Sequence, residues 1–431
     1  MSTLHIGCCE LIITPPLGVC LSGYYFERRA DAIHDDLYVR AVVLACGVEM
    51  AALVICDLIE LKREVTLPIR QDIARRAGIP ADHVLIACTH THTAPATTDW
   101  PEANTFADAA YMAVLGRRIA DAVVLAAQRL QPATAWLAHG QVQGIAFNRR
   151  YWMRDGSLRT NPPFQSPDIV RPAGPLDPEL GLLLFRSVEE TPLALLTNYA
   201  LHPDQVGGAA LSADYEGVMS RLIKTALGVQ CTVLCSNGCA GDINHFDMAR
   251  PGPQYGFACA ERSGRALAGE AIRRLADLQP LNDPVLRAAS RAVQAPLRLP
   301  TPDEVAWARQ FAGQELTTFD PRGLDIVAAD RMIALHERGA AQVETEISAL
   351  RLGEAVLVGL PGEIFAQIGL EIKARSPFPH TFVIELCNDN IGYLPPMRVY
   401  DEGGYEAASS PFAPGAGEQM TLAVLHLLES L

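Results

Sequence analysis

Apolar, β-branched runs punctuate the chain at 41–47, 51–57, 83–89, 193–199, 231–236, 355–360 and 381–387, and each predicts a buried strand. Between several of them the apolar positions return at helical spacing, over 65–77, 108–130, 214–227, 256–278, 302–313, 325–339 and 363–374. An amphipathic stretch at 415–430 predicts a last helix. Alternation of this kind predicts an α/β fold. The short gap between 41–47 and 51–57 suggests a hairpin, so mixed β-sheets flanked by helices are expected. Two stretches break the rhythm. Residues 152–178 are rich in Pro, Gly and Arg and predict a long loop serving as lid or rim. Residues 279–301 hold several prolines around a strand-like core and mark a candidate subdomain boundary. No internal repeat or low-complexity tract is visible, and one domain spanning 1–431 is the simplest organisation.

Composition narrows the classes of function. Of 431 residues, 49% are apolar and 19% charged, ample for a packed core. The formal net charge of −14 repels phosphate backbones and anionic lipid surfaces, which argues against nucleic-acid and peripheral membrane roles. No run of about 18 apolar residues exists, so no membrane insertion is expected. The opening MSTLHIGCCELIITPP has neither a basic leader nor an apolar h-region, so no signal peptide is expected. Eleven cysteines, most inside apolar runs, fit buried free thiols in a reducing cytoplasm. A cytoplasmic location is therefore expected; a homo-oligomer stays open.

Several strand ends carry chemistry. CTHTHTAP, residues 88–95, follows the run 83–87. If extended, it projects His90 and His92 to the same side. Neutral imidazole is a common zinc ligand, and threonine hydroxyls can orient it, although alone the motif reads equally as a polar loop. NYALHPDQ, residues 198–205, delivers His202 to a proline turn as a candidate third imidazole. In GLPGEIF, residues 359–365, a strand and a Pro-Gly turn lead to Glu363, which is expected to open a helix; alone it reads as a first-turn glutamate. CSNGCAGDINHF, residues 235–246, is a small-residue turn suited to close backbone approach, with Asp242, Asn244 and His245 as its polar members. The spacing of Cys231, Cys235 and Cys239 matches no iron–sulfur pattern. CNDNIGYLPPMRVYDEGGYEAASS, residues 387–410, carries Tyr393, Tyr400 and Tyr405 in a polar loop, where tyrosines are usually packing groups.

Taken in this order, the segments resemble the catalytic domain of the neutral/alkaline non-lysosomal ceramidases. IGCCELIITPPLGVCLSGY with IHDDLYVRA resembles the opening of that family and GPLDPELGLLLF its middle, and the resemblance covers nearly the whole chain. It implies an α/β ceramidase-like catalytic domain and Zn2+ as cofactor. It implies His90, His202, Glu363 and Tyr393 as metal ligands, His92 as a second active-site histidine, Arg149 of FNRRY as a contact of the reacting group, and Tyr405 beside the scissile amide. Arg150 competes with Arg149 by a single register step. One departure stands out. Where ceramidases carry a serine after Gly-Asp, this chain has Gly241-Asp242-Ile243-Asn244, and an amide is neither a good nucleophile nor a base. The immunoglobulin-like C-terminal domain and the secretory leader of ceramidases are also expected to be absent.

These expectations define a zinc-dependent hydrolase that cleaves an amide-type C–N bond with metal-activated water. His92, Arg149 and Tyr405 would stabilise the oxyanion, and His92 or Asp242 would move the proton to the leaving nitrogen. The expected substrate is a small or medium amide, lactam or N-acyl compound. A true ceramidase and a catalytically silent zinc-binding or scaffold protein are the alternatives. Specificity is expected in loops 20–36, 96–107, 152–178 and 394–414.

Overall fold

The computed structural model describes residues 3–311, 314 and 323–431. Two sheets stack face to face. In the larger, neighbouring strands run Thr232–Asn237, Pro192–Tyr199, Glu179–Ser187, Gln131–Gln141, Leu4–Ile12, Tyr38–Cys46, Glu49–Cys56 and Val84–Cys88. The smaller sheet orders Leu286–Pro296, Gln342–Leu352, Ala355–Gly359 and His380–Ile384. Side chains such as Leu53, Leu85 and Leu196 from the first meet Leu350, Leu357 and Phe382 from the second in one buried core. Helices cover both outer faces. Arg63–Ala77 and Ala109–Gln128 seal one half of the large sheet, and Asp214–Leu227 with Phe257–Arg274 seal the other. Ala366–Arg375 and Ala416–Glu429 cover the small sheet. A strand buried on both faces must be apolar at nearly every position, which is why the central strands were conspicuous in sequence.

The mixed α/β expectation holds. Tyr38–Cys46 and Glu49–Cys56 form the expected antiparallel hairpin, whereas Glu49–Cys56 with Val84–Cys88, Pro192–Tyr199 with Thr232–Asn237, and Ala355–Gly359 with His380–Ile384 are parallel pairs. No disulfide joins any of the eleven cysteines among the described residues. No helix among the described residues is long and apolar enough to cross a membrane.

Local detail refines the expectations at several points. The 152–178 stretch is not one loop: Arg150–Met153, Leu158–Thr160 and Ile169–Pro172 form a small antiparallel sheet. Its strands are too short for a period to register. The strand-like core within 279–301 is Leu286–Pro296, which pairs along its whole length with Gln342–Leu352. Glu363 does not open a helix. It sits in a two-residue strand, Glu363–Ile364, parallel to Tyr393–Leu394, and the helix begins at Ala366. Of the helix expected over 302–313, Pro302–Ala308 is helical, and residues 312–313 lie outside the described residues.

Candidate active site

Parallel strands put their carboxyl ends on one side of a sheet, where crevices for ligands form. Here Val84–Cys88, Pro192–Tyr199 and Ala355–Gly359 lead to His90, His202 and Glu363. The two sheets are tied beside this point. Asn388 N–H donates to the Ile86 carbonyl at 2.7 Å, and its side-chain oxygen accepts from Ile86 N–H at 2.9 Å. That tie carries the 389–393 segment to the histidines. Pairing of Glu363 with Tyr393 across their short strands then sets a carboxylate beside a phenol.

His90, His92 and His202 are all buried, and one potential ligand atom from each lies within 4.8 Å of the others. The His90 and His202 rings meet edge to face with centroids 4.5 Å apart, and His90 and His92 do so at 5.1 Å. The histidine pair does share a cavity, but not through strand alternation. His90 has φ +78°, a left-handed conformation costing a non-glycine residue about 1–3 kcal/mol. The chain turns at His90, held by its N–H to the Leu58 carbonyl at 2.8 Å.

The donor set fits a metal ion. His90 Nδ1 lies 2.8 Å from the Ile59 carbonyl, which can only accept, so the proton sits on Nδ1 and the Nε2 lone pair faces inward. That Nε2 is 3.5 Å from Glu363 Oε2, a buried oxygen without a hydrogen-bond partner. His92 Nε2 and His202 Nε2 face each other at 3.1 Å. Burial, followed by the neighbouring His90 charge, pushes both of these imidazoles well below the usual histidine range. For His90 burial acts the same way, but the neighbouring Glu363 carboxylate outweighs it and the net shift is upward. Burial opposes the Glu363 charge too; His90, Tyr393 and Arg149 overcome it and hold the carboxyl at about 2. Buried imidazole nitrogens and a carboxylate oxygen converging on one point suit a cation with nitrogen and oxygen ligands.

One wall of the site is cationic and phenolic. The Arg149 guanidinium donates to Tyr393 Oη at 3.1 Å, to the Gly241 carbonyl at 2.8 Å and to buried Glu406 at 2.7 Å. Burial opposes its charge, but Tyr393 and Glu406 hold it firmly protonated. Arg150 points elsewhere, to Glu402 and the Gly403 carbonyl, and of the two arginines it is Arg149 that reaches Tyr393. Tyr405 packs edge-on to Tyr393 at 5.5 Å, and its hydroxyl is hydrogen bonded to that of Tyr25. Burial, then the Glu363 charge, pushes the Tyr393 phenol well above its ordinary value.

Asp242 and Asn244 are engaged in structural contacts. Asp242 accepts from Ala366 N–H at 2.8 Å and from the Asn148 amide at 2.7 Å, and burial lifts it to about 6. Asn244 bonds the Asn161 side chain and Phe246 N–H. The small-residue turn carrying them also spends its N–H groups internally. Gly241 N–H donates to the Ile364 carbonyl at 2.8 Å, and a Cβ at Gly241 would stand 2.7 Å from the Glu363 carbonyl oxygen. Glycine here permits the approach that links Arg149 to the Glu363 backbone.

Sequence reasoning missed several participants. Asp204 Oδ1 lies 3.5 Å from His92 Nδ1 and accepts from the Tyr24 hydroxyl at 2.6 Å. Arg28 donates to the His92 carbonyl at 2.8 Å. Glu385, buried and pushed by that burial to about 8, accepts from Ala240 and Ile364 N–H and braces the Glu363 strand from behind. Only Asp204 had a visible cue, two residues after His202. A cavity of about 290 Å3 opens onto His90 and His92, lined also by Tyr25, Glu60, Lys62, Trp100, Arg331 and Asn390 among others. Loops 20–36, 96–107 and 394–414 contribute to its lining. The 152–178 stretch does not.

Residues 5–234, more than half of the chain, match the family model described as neutral/alkaline non-lysosomal ceramidase, N-terminal. The chain belongs to the neutral/alkaline non-lysosomal ceramidase family. Such ceramidases are hydrolases acting on amide C–N bonds other than peptide bonds. The neutral ceramidase from Pseudomonas aeruginosa superposes with a TM-score of 0.77 at 18% identity, covering 100% of this chain and 75% of that one. A ceramidase complexed with C2 gives 0.75 at 17% identity, over 100% of this chain and 76% of the other. At these identities the likeness is one of fold. No curated protein matches the chain significantly.

Proposed function

We propose that this member of the ceramidase family is a zinc-dependent amidohydrolase of small or medium N-acyl compounds. The observation that carries the reading is the convergence of three buried imidazoles and the Glu363 carboxylate beside the Arg149–Tyr393–Tyr405 wall. His90, His202, Glu363 and Tyr393 would hold the ion. When bound, zinc supplies a Lewis acid and a water acidified to a pKa of about 7. Arg149 and Tyr405 would donate to the oxygen on which charge develops. His92, with its Nδ1 turned toward Asp204, would carry the proton to the leaving nitrogen. Asp242 is released from that role by its two structural hydrogen bonds, and Asn244 takes no chemical part.

Cavity chemistry favours a small polar substrate over a long-chain lipid. A volume of about 290 Å3 sits at the lower end for ligand pockets, and Glu60, Lys62, Asp99, Arg331 and Asn390 line it. An N-acylsphingosine would need an extended apolar channel. The test is a turnover panel of short N-acyl amides, lactams and ceramides with zinc-loaded enzyme. Hydrolysis of the short amides and inactivity on ceramides is expected; the converse pattern would make the chain a true ceramidase. Inactivity on every class, without bound zinc, would leave the silent-protein reading.

Asp204 gives a separate prediction. A carboxylate on the far nitrogen of an active-site histidine fixes its tautomer, and losing such a partner costs roughly 10- to 100-fold in activity or metal affinity. Asp204→Asn is expected to lower kcat by that factor with zinc content unchanged, read from turnover and metal analysis on the same sample. Loss of zinc in step with activity would instead make His92 a metal ligand.

A further inference from the structure

Arg331 projects from the helix Gly323–Arg338 into the cavity wall. The other charges there are already engaged. Glu60 accepts from Thr98 at 2.6 Å and pairs with Lys62 at 3.3 Å; Asp99 accepts from Ala107 N–H at 2.9 Å; Arg149, behind the wall, is bound to Glu406. Arg331 donates through Nη1 to the Ser409 carbonyl at 2.8 Å, which fixes the guanidinium, yet no acidic side chain among the described residues forms an ion pair with it. Beside it stand Tyr25 and Tyr405, and Tyr25 packs edge to face on Trp100 at 5.4 Å. A guanidinium anchored on a backbone carbonyl, with no acidic partner among the described residues and next to an aromatic wall, is a site for a planar carboxylate.

We infer that the substrate carries a carboxylate remote from its scissile amide, and that Arg331 is the specificity-determining residue that binds it. The substrate class is then a small carboxylated N-acyl compound, such as an N-acyl amino acid, lying along the Tyr25–Trp100 wall with its amide at the histidine cluster. This assignment rests on the amidohydrolase reading for its catalytic half and on Arg331 alone for its binding half. Lys62 does not substitute for Arg331, because its ammonium is committed to Glu60 and the Asn390 carbonyl.

The experiment compares N-acetyl amino acids with their neutral carboxamide counterparts, using parent enzyme and Arg331→Gln. A charge-assisted bidentate contact amounts to roughly 10- to 100-fold in kcat/KM. The parent is expected to favour the carboxylates by that factor, mainly through KM, and Arg331→Gln to bring the ratio to about one while Arg331→Lys restores part of it. A parent without preference, or a preference surviving in Arg331→Gln, would overturn the inference. So would an equal loss on both substrate types, which would make Arg331 a contact of the reacting group. If no amide is turned over, the amidohydrolase reading fails and calorimetric titration with N-acetylglycine reads the binding half separately. Binding by the parent that Arg331→Gln loses supports the carboxylate site; equal binding by both, or none by either, removes it. Circular dichroism of the variants confirms that they are folded.

Discussion

His90→Gly is expected to lose zinc and amide hydrolysis together while remaining about as stable as the metal-free parent. The residue occupies a left-handed backbone conformation, φ +78°, which a side chain adopts at a cost of about 1–3 kcal/mol and glycine adopts freely. Against that relief stand the lost hydrogen bond to the Ile59 carbonyl, about 1 kcal/mol, and the larger backbone entropy of unfolded glycine, about 0.5–1 kcal/mol. The opposing contributions nearly cancel, so chemical denaturation in the presence of a chelator should place the two proteins within about 1 kcal/mol of each other. Most histidine substitutions confuse loss of metal with loss of fold; this one separates them. Stoichiometric zinc in the folded variant would show that His90 is not a ligand and that its strain serves some other end.

Arg149 carries the second large effect. Removing one donor to a developing oxyanion commonly lowers turnover by roughly 100- to 1000-fold, and that loss is expected for Arg149→Ala with zinc still bound. The alanine variant has a second consequence, because Glu406 is fully buried and Arg149 donates to it at 2.7 Å. Breaking a buried ion pair by removing one partner costs about 3–5 kcal/mol, although Arg150 at 3.4 Å and the Thr160 hydroxyl at 2.9 Å keep Glu406 partly satisfied. The double variant Arg149→Met with Glu406→Gln removes the orphaned charge and is expected to regain most of the stability. It is not expected to regain activity. Recovery of turnover alongside stability would reduce Arg149 to a scaffold for the loop that holds Tyr405.

How far the sequence announced this architecture depended on burial. Strands covered on both faces, such as Val84–Cys88 and Glu49–Cys56 from Met50 onward, are apolar at every position and were legible at once. Leu286–Pro296 is an edge strand with many exposed positions, and Gln131–Gln141 builds its buried face largely from alanine and glycine. Neither leaves a strong apolar signature. Candidate ligands were legible as histidines and a glutamate at strand ends, and their roles came from family resemblance. Local conformation was not legible. Nothing in CTHTHTAP reveals that His90 turns left-handed, and nothing in GLPGEIF shows that Glu363 pairs with Tyr393 before the helix starts, because both are fixed by chain segments far away in sequence. Arg331 and Glu385 were invisible for the same reason. Each gains its meaning from neighbours that only the folded chain supplies.

The central claim is a single ion shared by side chains from four separated segments, and X-ray absorption at the zinc edge on the purified, active protein tests it most directly. The account predicts about one zinc per chain, surrounded by nitrogen and oxygen at about 2.0–2.2 Å with imidazole scattering, and loss of that signal in His202→Ala. An active enzyme without zinc, or a sulfur shell at about 2.3 Å pointing to the cysteines, would contradict it.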